Sequence, residues 1–315
     1  SFEDANLLEL LYEGSKYGAN FLTDTRSLDI RKQTYTIISE NNKKIIITGH
    51  TGFKGSWLSL YLDTLGADLY GYALEPETRP SLYQEANLDN LMAKSCVGDI
   101  NDLDKLTSFF RETKPSVLFH MAAQSLVREG FLYPIETFET NIIGTANLVN
   151  ATIMKGNIRF IHISSDGVYY CDRGNYKEND ETIPYNIYGW TKLGSETAVR
   201  ILKDYSILRT SFFEPDNIPF HNAGVDVYSS KLPINEFAKA ILILVSSEFN
   251  GVANIGHERK SDYERYKKFK PSIKKSTYKE IQKGLSFIYP KDSSMNISLW
   301  RKIKNDAVNF SSSKE

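Results

Sequence analysis

The stretch that most constrains this chain is TGHTGFKGSW, residues 48–57, which places Gly49, Gly52 and Gly55 directly behind the apolar run KIIIT at 44–48. Glycines in a turn have many backbone uses. Strand, glycine turn and apolar helix in that order make a narrower pattern: the helix N-terminus offers N–H groups to a dinucleotide pyrophosphate. In that frame Gly49 permits the turn, Gly52 the close approach of backbone to ligand, and Gly55 the contact of helix with sheet, with Thr51, Phe53 and Lys54 completing the turn. Glu75 follows the second apolar run at the distance expected of the acid that accepts the ribose hydroxyls. A carboxylate there favours NAD over NADP by repelling a 2′-phosphate. Lys54 and Arg79 could supply the opposite charge and leave NADP open, and the plain alternative for Glu75 is an exposed loop acid.

The rest of the chain continues the alternation. Apolar runs at 44–48, 68–74, 116–122, 159–164 and 205–210 are interleaved with helical periodicities at 53–65, 81–92, 102–113, 141–154 and 188–203. Continuous apolar runs alternating with helices are the signature of a parallel sheet covered on both faces. The expected fold class is therefore α/β, a Rossmann-type doubly wound parallel sheet, with a small C-terminal substrate-binding lobe. Domain boundaries are set at 1–42 for an N-terminal helical extension, 43–210 for the dinucleotide-binding domain, and 211–315 for the lobe and tail, interleaved with that domain. Asp99 and Ile100 in GDI (98–100), and Ala122, Ala123 and Gln124 in HMAAQ (120–124), fall at strand ends, where such folds bind ligands. The charge-rich HERKSDYERYKKFKPSIKK (257–275) reads as a solvated helix face and loop.

Composition narrows the function. A formal net charge of −1 argues against nucleic acid. Cys96 and Cys171 have neither metal-ligand spacing nor a disulfide framework, which fits a reducing compartment; no metal site is expected. The run AILILV at 240–245 is too short to span a bilayer. No secretory signal is visible, so a cytoplasmic location is expected. The chain begins at Ser1 rather than Met, as a processed or partial polypeptide would.

Chemistry enters with YGWTK, 188–192. Tyr188 and Lys192 are four residues apart on an expected helix and emerge on one face. An ammonium beside a phenol favours the phenolate and lowers its pKa, while a hydroxyl such as Ser165 in ISSDGVYY can hold a substrate oxygen. The plain alternative is two surface residues of a helix.

These motifs resemble the extended short-chain dehydrogenase/reductase family, also described as NAD-dependent epimerase/dehydratase. Residues 43–150, including GFKGSW and FHMAAQSLVREGFLYPIETFETNIIGT, resemble CDP-glucose 4,6-dehydratases. Residues 158–300, including ISSDGVYYCDRGNYKENDETIPYNIYGWTKLGSE and LRTSF, resemble sugar-nucleotide reductases of the dTDP-4-dehydrorhamnose reductase type. The resemblance implies roles for Ser165 at the substrate oxygen, Tyr188 in proton transfer at O4, and Lys192 at the ribose and the tyrosine. It implies that a 4,6-dehydratase carries Asp followed by Glu or Lys, where this chain has Asp166 and Gly167. With no second acid/base, Asp166 is expected to cap the following turn. Gln124, Arg128, Asn141, Arg209 and Arg259, with Lys260, are the candidate substrate contacts, and surface salt bridging is their alternative.

The expectation is thus an NAD(P)-dependent enzyme acting at C4 of a CDP- or dTDP-linked hexose, foremost a 4-keto reductase. A CDP-glucose 4,6-dehydratase and a noncatalytic dinucleotide- or nucleotide-sugar-binding protein are its rivals. Expected partners are a nucleotide-sugar substrate and no membrane; a homodimer is left open.

Overall fold

The computed structural model describes residues 43–312 except 248 and 286, so the helix expected within 1–42 lies outside the described residues. In chain order the elements are β1 (Lys44–Thr48), α1 (Phe53–Asp63), β2 (Asp68–Ala73), α2 (Leu82–Glu85), β3 (Lys94–Val97), α3 (Leu103–Thr113), β4 (Val117–His120), α4 (Val127–Leu132), α5 (Pro134–Phe138), α6 (Gly144–Lys155), β5 (Arg159–Ile163), α7 (Ile187–Val199) and β6 (Tyr205–Thr210). They continue through β7 (Phe212–Phe213), β8 (Asn222–Gly224), β9 (Tyr228–Ser229), β10 (Leu232–Pro233), α8 (Ile234–Ser246), β11 (Gly251–Ile255), β12 (Lys260–Ser261), α9 (Asp262–Lys267), β13 (Lys274–Ser276), α10 (Tyr278–Lys283) and α11 (Ser298–Ser312).

Seven strands form one parallel sheet in the order β11-β6-β5-β4-β1-β2-β3, and the order reverses between β1 and β4. Strand alternation divides the apolar side chains between two cores. Ile45, Ile47, Phe119, Ile161 and Leu208 face Leu58 and Leu62 of α1, Phe237 and Ile241 of α8, and Trp300 of α11. Ile46, Leu118, Phe160 and Ile207 face Phe109 and Phe110 of α3, Leu148 of α6 and Val199 of α7. This is the Rossmann-type sheet that the alternation of runs predicts. The switch in strand order opens a crevice at the carboxyl ends of β1 and β4, where ligands bind in such sheets.

The expected helix over 81–92 is instead the single turn α2 and a 3₁₀ turn at Leu88–Leu91, separated by Asn87 at φ 50°. A left-handed residue cannot continue a right-handed helix. GVANI, not anticipated as a strand, forms β11 and closes the sheet against β6. The segment 257–275 also differs from a solvated face: Asp262, Arg265 and Tyr266 are buried. Arg265 donates to the carbonyls of Lys231, Ser229 and Glu258, so its charge is spent inside the lobe. Small strand pairs, β8 with β13 and β9 with β12, hold that lobe beside the carboxyl end of the sheet. Among the described residues no helix is long and apolar enough to cross a membrane, and no group of three His, Cys, Asp or Glu side chains could hold a metal ion.

Candidate active site

The glycine turn is built by close contacts. Gly49 has φ +74°, and a Cβ there would lie 2.8 Å from the Ala122 nitrogen. A Cβ on Gly55 would lie 2.1 Å from the Gly49 carbonyl oxygen, so α1 packs on the turn itself. Gly52 is exposed and begins α1 with no side-chain cap and no acid in the first turn. The turn therefore presents bare N–H groups over the strand switch, an arrangement that suits an anion. Thr51 donates to the Leu74 carbonyl at 2.8 Å and ties the turn to the end of β2, beside the exposed Glu75. Asp99 is exposed and accepts from the Asn101 N–H, whereas the Ile100 side chain is buried against Gly144.

Beneath the turn lies a cavity of about 170 Å³ whose walls include Lys54, Ser165, Tyr188, Lys192, Ser211 and Phe212. Ser165 lies two residues beyond β5, and α7 delivers Tyr188 and Lys192, its start fixed by the Asn186 side chain accepting from the Gly189 N–H at 2.7 Å. A Cβ on Gly189 would meet the Gly167 carbonyl oxygen at 2.2 Å. Helix and turn therefore touch backbone to backbone, which brings Tyr188 to Ser165. The two side chains line the same cavity.

The electrostatics differ from the sequence expectation. Tyr188 is pushed up to about 12, by burial first and by the Asp166 carboxylate next, with the Ser165 hydroxyl opposing them. Lys192 does not draw it down, because burial and then the Lys54 charge lower Lys192 itself to about 7. Burial also lowers Lys54 to about 8, over the face of Phe212. Under Lys192 lie two histidines that the motifs did not flag. His120 and His162 stack at 5.1 Å between centroids, and burial followed by the Lys192 charge holds both well below the usual imidazole range. Their hydroxyl partners are Thr48 and Thr145 for His120 and Ser195 for His162. Neutral rings let a buried lysine stay close without a third cation.

Several candidates fall elsewhere. The turn after β5 is capped by Ser165, whose hydroxyl accepts from the Gly167 N–H at 3.0 Å, and not by Asp166. The Asp166 carboxylate instead accepts from the Ser165 hydroxyl at 3.2 Å, and burial raises its pKa against the Lys231 charge and the hydroxyls of Ser293, Ser165 and Ser211. A Cβ at 167 would sit 3.3 Å from the Ser165 hydroxyl, so a longer side chain there would start beside Ser165. Arg209 is turned away from the cavity: fully buried, it binds both oxygens of Glu196, at 2.9 and 2.7 Å, and the Tyr169 hydroxyl. Asn141 is also structural, accepting from the Gln124 N–H and donating to the Gln124 carbonyl and the Thr191 hydroxyl. The Gln124 side chain closes its own loop on Leu126. Arg128 and Lys260 are exposed and away from the cavity walls. Arg259 pairs with Asp292 and lies 3.5 Å over the ring of Tyr228, a residue that lines a second cavity, and is itself absent from the walls of both.

The family model described as GDP-mannose 4,6 dehydratase matches residues 46–215. The CDP-glucose 4,6-dehydratase of Salmonella typhimurium is 42% identical over 186 residues, covering 58% of this chain and 50% of that protein. The chain thus spans about half the length of the curated relatives it matches. Among solved structures, a hypothetical dTDP-4-dehydrorhamnose reductase from Sulfolobus tokodaii superposes with a TM-score of 0.69 at 25% identity, over 82% of this chain and 94% of that one. DesIV, a dTDP-glucose 4,6-dehydratase from Streptomyces venezuelae with NAD and TYD bound, shares the fold, with a TM-score of 0.62 at 20% identity over 74% of this chain and 84% of that one.

Proposed function

This chain belongs to the GDP-mannose 4,6 dehydratase family within the extended short-chain dehydrogenases/reductases, and from the cavity it builds we propose that it transfers hydride at C4 of a nucleotide-linked hexose, chiefly by reducing a 4-keto sugar. The observation that carries this reading is Tyr188, set beside Ser165 in one cavity and held protonated through neutral pH, next to a position 167 that has no side chain.

The glycine turn fits a dinucleotide. Gly49 and Gly55 are closed against backbone while Gly52 and the uncapped start of α1 face outward, so a pyrophosphate can meet N–H groups. Bound there, NAD(P)H supplies the hydride. The chain's residues do the rest. Ser165 holds O4 of the substrate, and Tyr188 passes its proton to that oxygen as C4 becomes tetrahedral. A phenol near 12 keeps its proton until a strongly basic oxygen develops, which suits the reducing direction. Lys192, close to its titration point at neutral pH, returns a proton toward the tyrosine. Glu75, exposed at the end of β2, sets the preference for NAD. Glu75→Ala is expected to weaken NAD(H) more than NADP(H) in parallel titrations; an unchanged preference removes Glu75 from the site.

The second reading, a CDP-glucose 4,6-dehydratase, is favoured by the 42% identity to that Salmonella enzyme. Asp166, its pKa raised, could hold a proton for the leaving oxygen at C6, but position 167 offers no group to take the proton from C5. One experiment separates the two. The protein is incubated with CDP-glucose and NAD⁺ in D₂O, then with the 4-keto-6-deoxy sugar nucleotide and NADH or NADPH. The reductase oxidises the reduced cofactor in the second incubation and gives neither product nor rapid C5 deuteration in the first. A 4-keto-6-deoxy product from the first selects the dehydratase, and silence in both with cofactor bound selects a binding protein.

A further inference from the structure

A second cavity, also of about 170 Å³, opens beyond the Ser165–Asp166 pair and shares Ser211 with the first. Asp166, Lys231 and Asp262 bring the charge to its wall, and Tyr185, Tyr228 and Tyr289 bring aromatic surface. The polar groups are held from behind. Asp262, 3% exposed, accepts from the Ser229 hydroxyl at 2.7 Å and from the Lys231 ammonium at 3.0 Å. Lys231 also donates to the Tyr266 hydroxyl at 3.0 Å. Asp262 is anchored at the start of α9, where its N–H donates to the Val227 carbonyl and a reciprocal Ser261–Glu264 cap fixes the helix.

We infer that this second cavity receives the part of the hexose ring remote from C4, with Asp262 and Lys231 reading its hydroxyl groups. The inference rests on the hydride-transfer reading of the first cavity and adds the residues that choose the sugar. The charge balance selects the ligand. Lys231, the cation on the cavity wall, is already ion-paired to Asp262, so a phosphate finds no free positive charge there. A neutral ring with several hydroxyls meets what it needs: carboxylate oxygens that accept, an ammonium that donates, and tyrosine rings whose faces suit its C–H surface. The hydrogen bond from Ser165 to Asp166, 3.2 Å, places the two cavities one residue apart, so a single pyranose can present C4 to Tyr188 while its far side enters the second.

The test uses the full chain saturated with NAD⁺ and two pairs of probes, CDP-glucose with CDP and dTDP-glucose with dTDP, titrated by calorimetry. Lys231→Met and Asp262→Asn are expected to weaken the pair member that carries glucose by about 10–100-fold and leave the diphosphate and NAD⁺ unchanged, the unchanged NAD⁺ affinity showing that the fold survives loss of the Lys231–Asp262 pair. Tyr289→Phe, which keeps the ring, guards against misfolding and should cost less than either. Equal losses for CDP-glucose and CDP, or for dTDP-glucose and dTDP, would give the cavity to the nucleotide; no loss for either sugar would overturn the inference. If the wild-type chain binds neither nucleotide sugar, the hydride-transfer reading fails. The cavity is then judged with free D-glucose by saturation-transfer NMR: transfer from tyrosine ring protons that Asp262→Asn abolishes supports it, and no transfer in the wild type overturns it.

Discussion

Tyr188→Phe is expected to lower turnover by about 10²–10⁴-fold, the usual worth of a positioned general acid, while NAD(H) affinity stays within a few-fold of wild type. The ring is kept and the glycine turn is untouched, so only the proton at O4 is lost. The same substitution separates the chemistry from the electrostatics. In wild type the phenol keeps its proton well above neutral pH, being held near 12, so a falling rate between pH 6 and 9 would trace to Lys192, near 7, losing its own proton. A Tyr188→Phe protein whose residual rate keeps that pH profile would assign the profile to the lysine. If turnover survives within a few-fold, Tyr188 and Lys192 are merely two residues on one helix face. The readout is single-turnover oxidation of NADH or NADPH with a 4-keto sugar nucleotide.

Arg209→Met carries the other large effect, on stability rather than rate. The guanidinium lies 2% exposed beside a Glu196 side chain at 0%, and the substitution leaves that carboxylate buried with only the exposed Arg200, at 3.5 Å, in ion-pair contact among the described residues. Breaking a buried pair from one side costs about 3–5 kcal/mol, a large part of the ~5–15 kcal/mol that holds a domain folded. Urea unfolding should show a midpoint lowered by that loss divided by the m-value, and the double variant Glu196→Gln, Arg209→Met should recover a good part of it. Weakened binding of nucleotide sugar with an unchanged unfolding midpoint would instead return Arg209 to the substrate.

Arg209 also shows where sequence reading loses sight of the molecule. The glycine turn, the core strands and the Tyr188–Lys192 pair were legible because each rests on local rules: a backbone that only glycine permits, a run of isoleucines, a four-residue spacing. Arg209 closes a strand that reads plainly as apolar, and nothing local says that its charge meets Glu196 on α7. The same holds for Asp262 and Arg265, which sit among charged neighbours in a stretch that reads as solvated and are buried by contacts to β9 and to the Lys231 carbonyl. Asp166 was legible as a residue and not as a direction. The adjacent serine takes the capping role, and the carboxylate turns into a cavity whose other walls come from far along the chain. His120 and His162 stayed hidden for a related reason, since one ring stacks on the other only after β4 and β5 pair in register.

Asn141 stitches the loop after β4 to the helix that carries Tyr188, through Gln124 on one side and Thr191 on the other. Its amide is occupied before any ligand arrives. The loop that borders the glycine turn and the helix that carries Tyr188 therefore form one mechanical piece, aligned when the chain folds. Alignment entropy that two separate elements would surrender in each catalytic cycle has already been given up. A disturbance of the loop at residues 122–126, even one that leaves every reacting atom in place, would be expressed as a slower proton transfer before it was expressed as weaker binding.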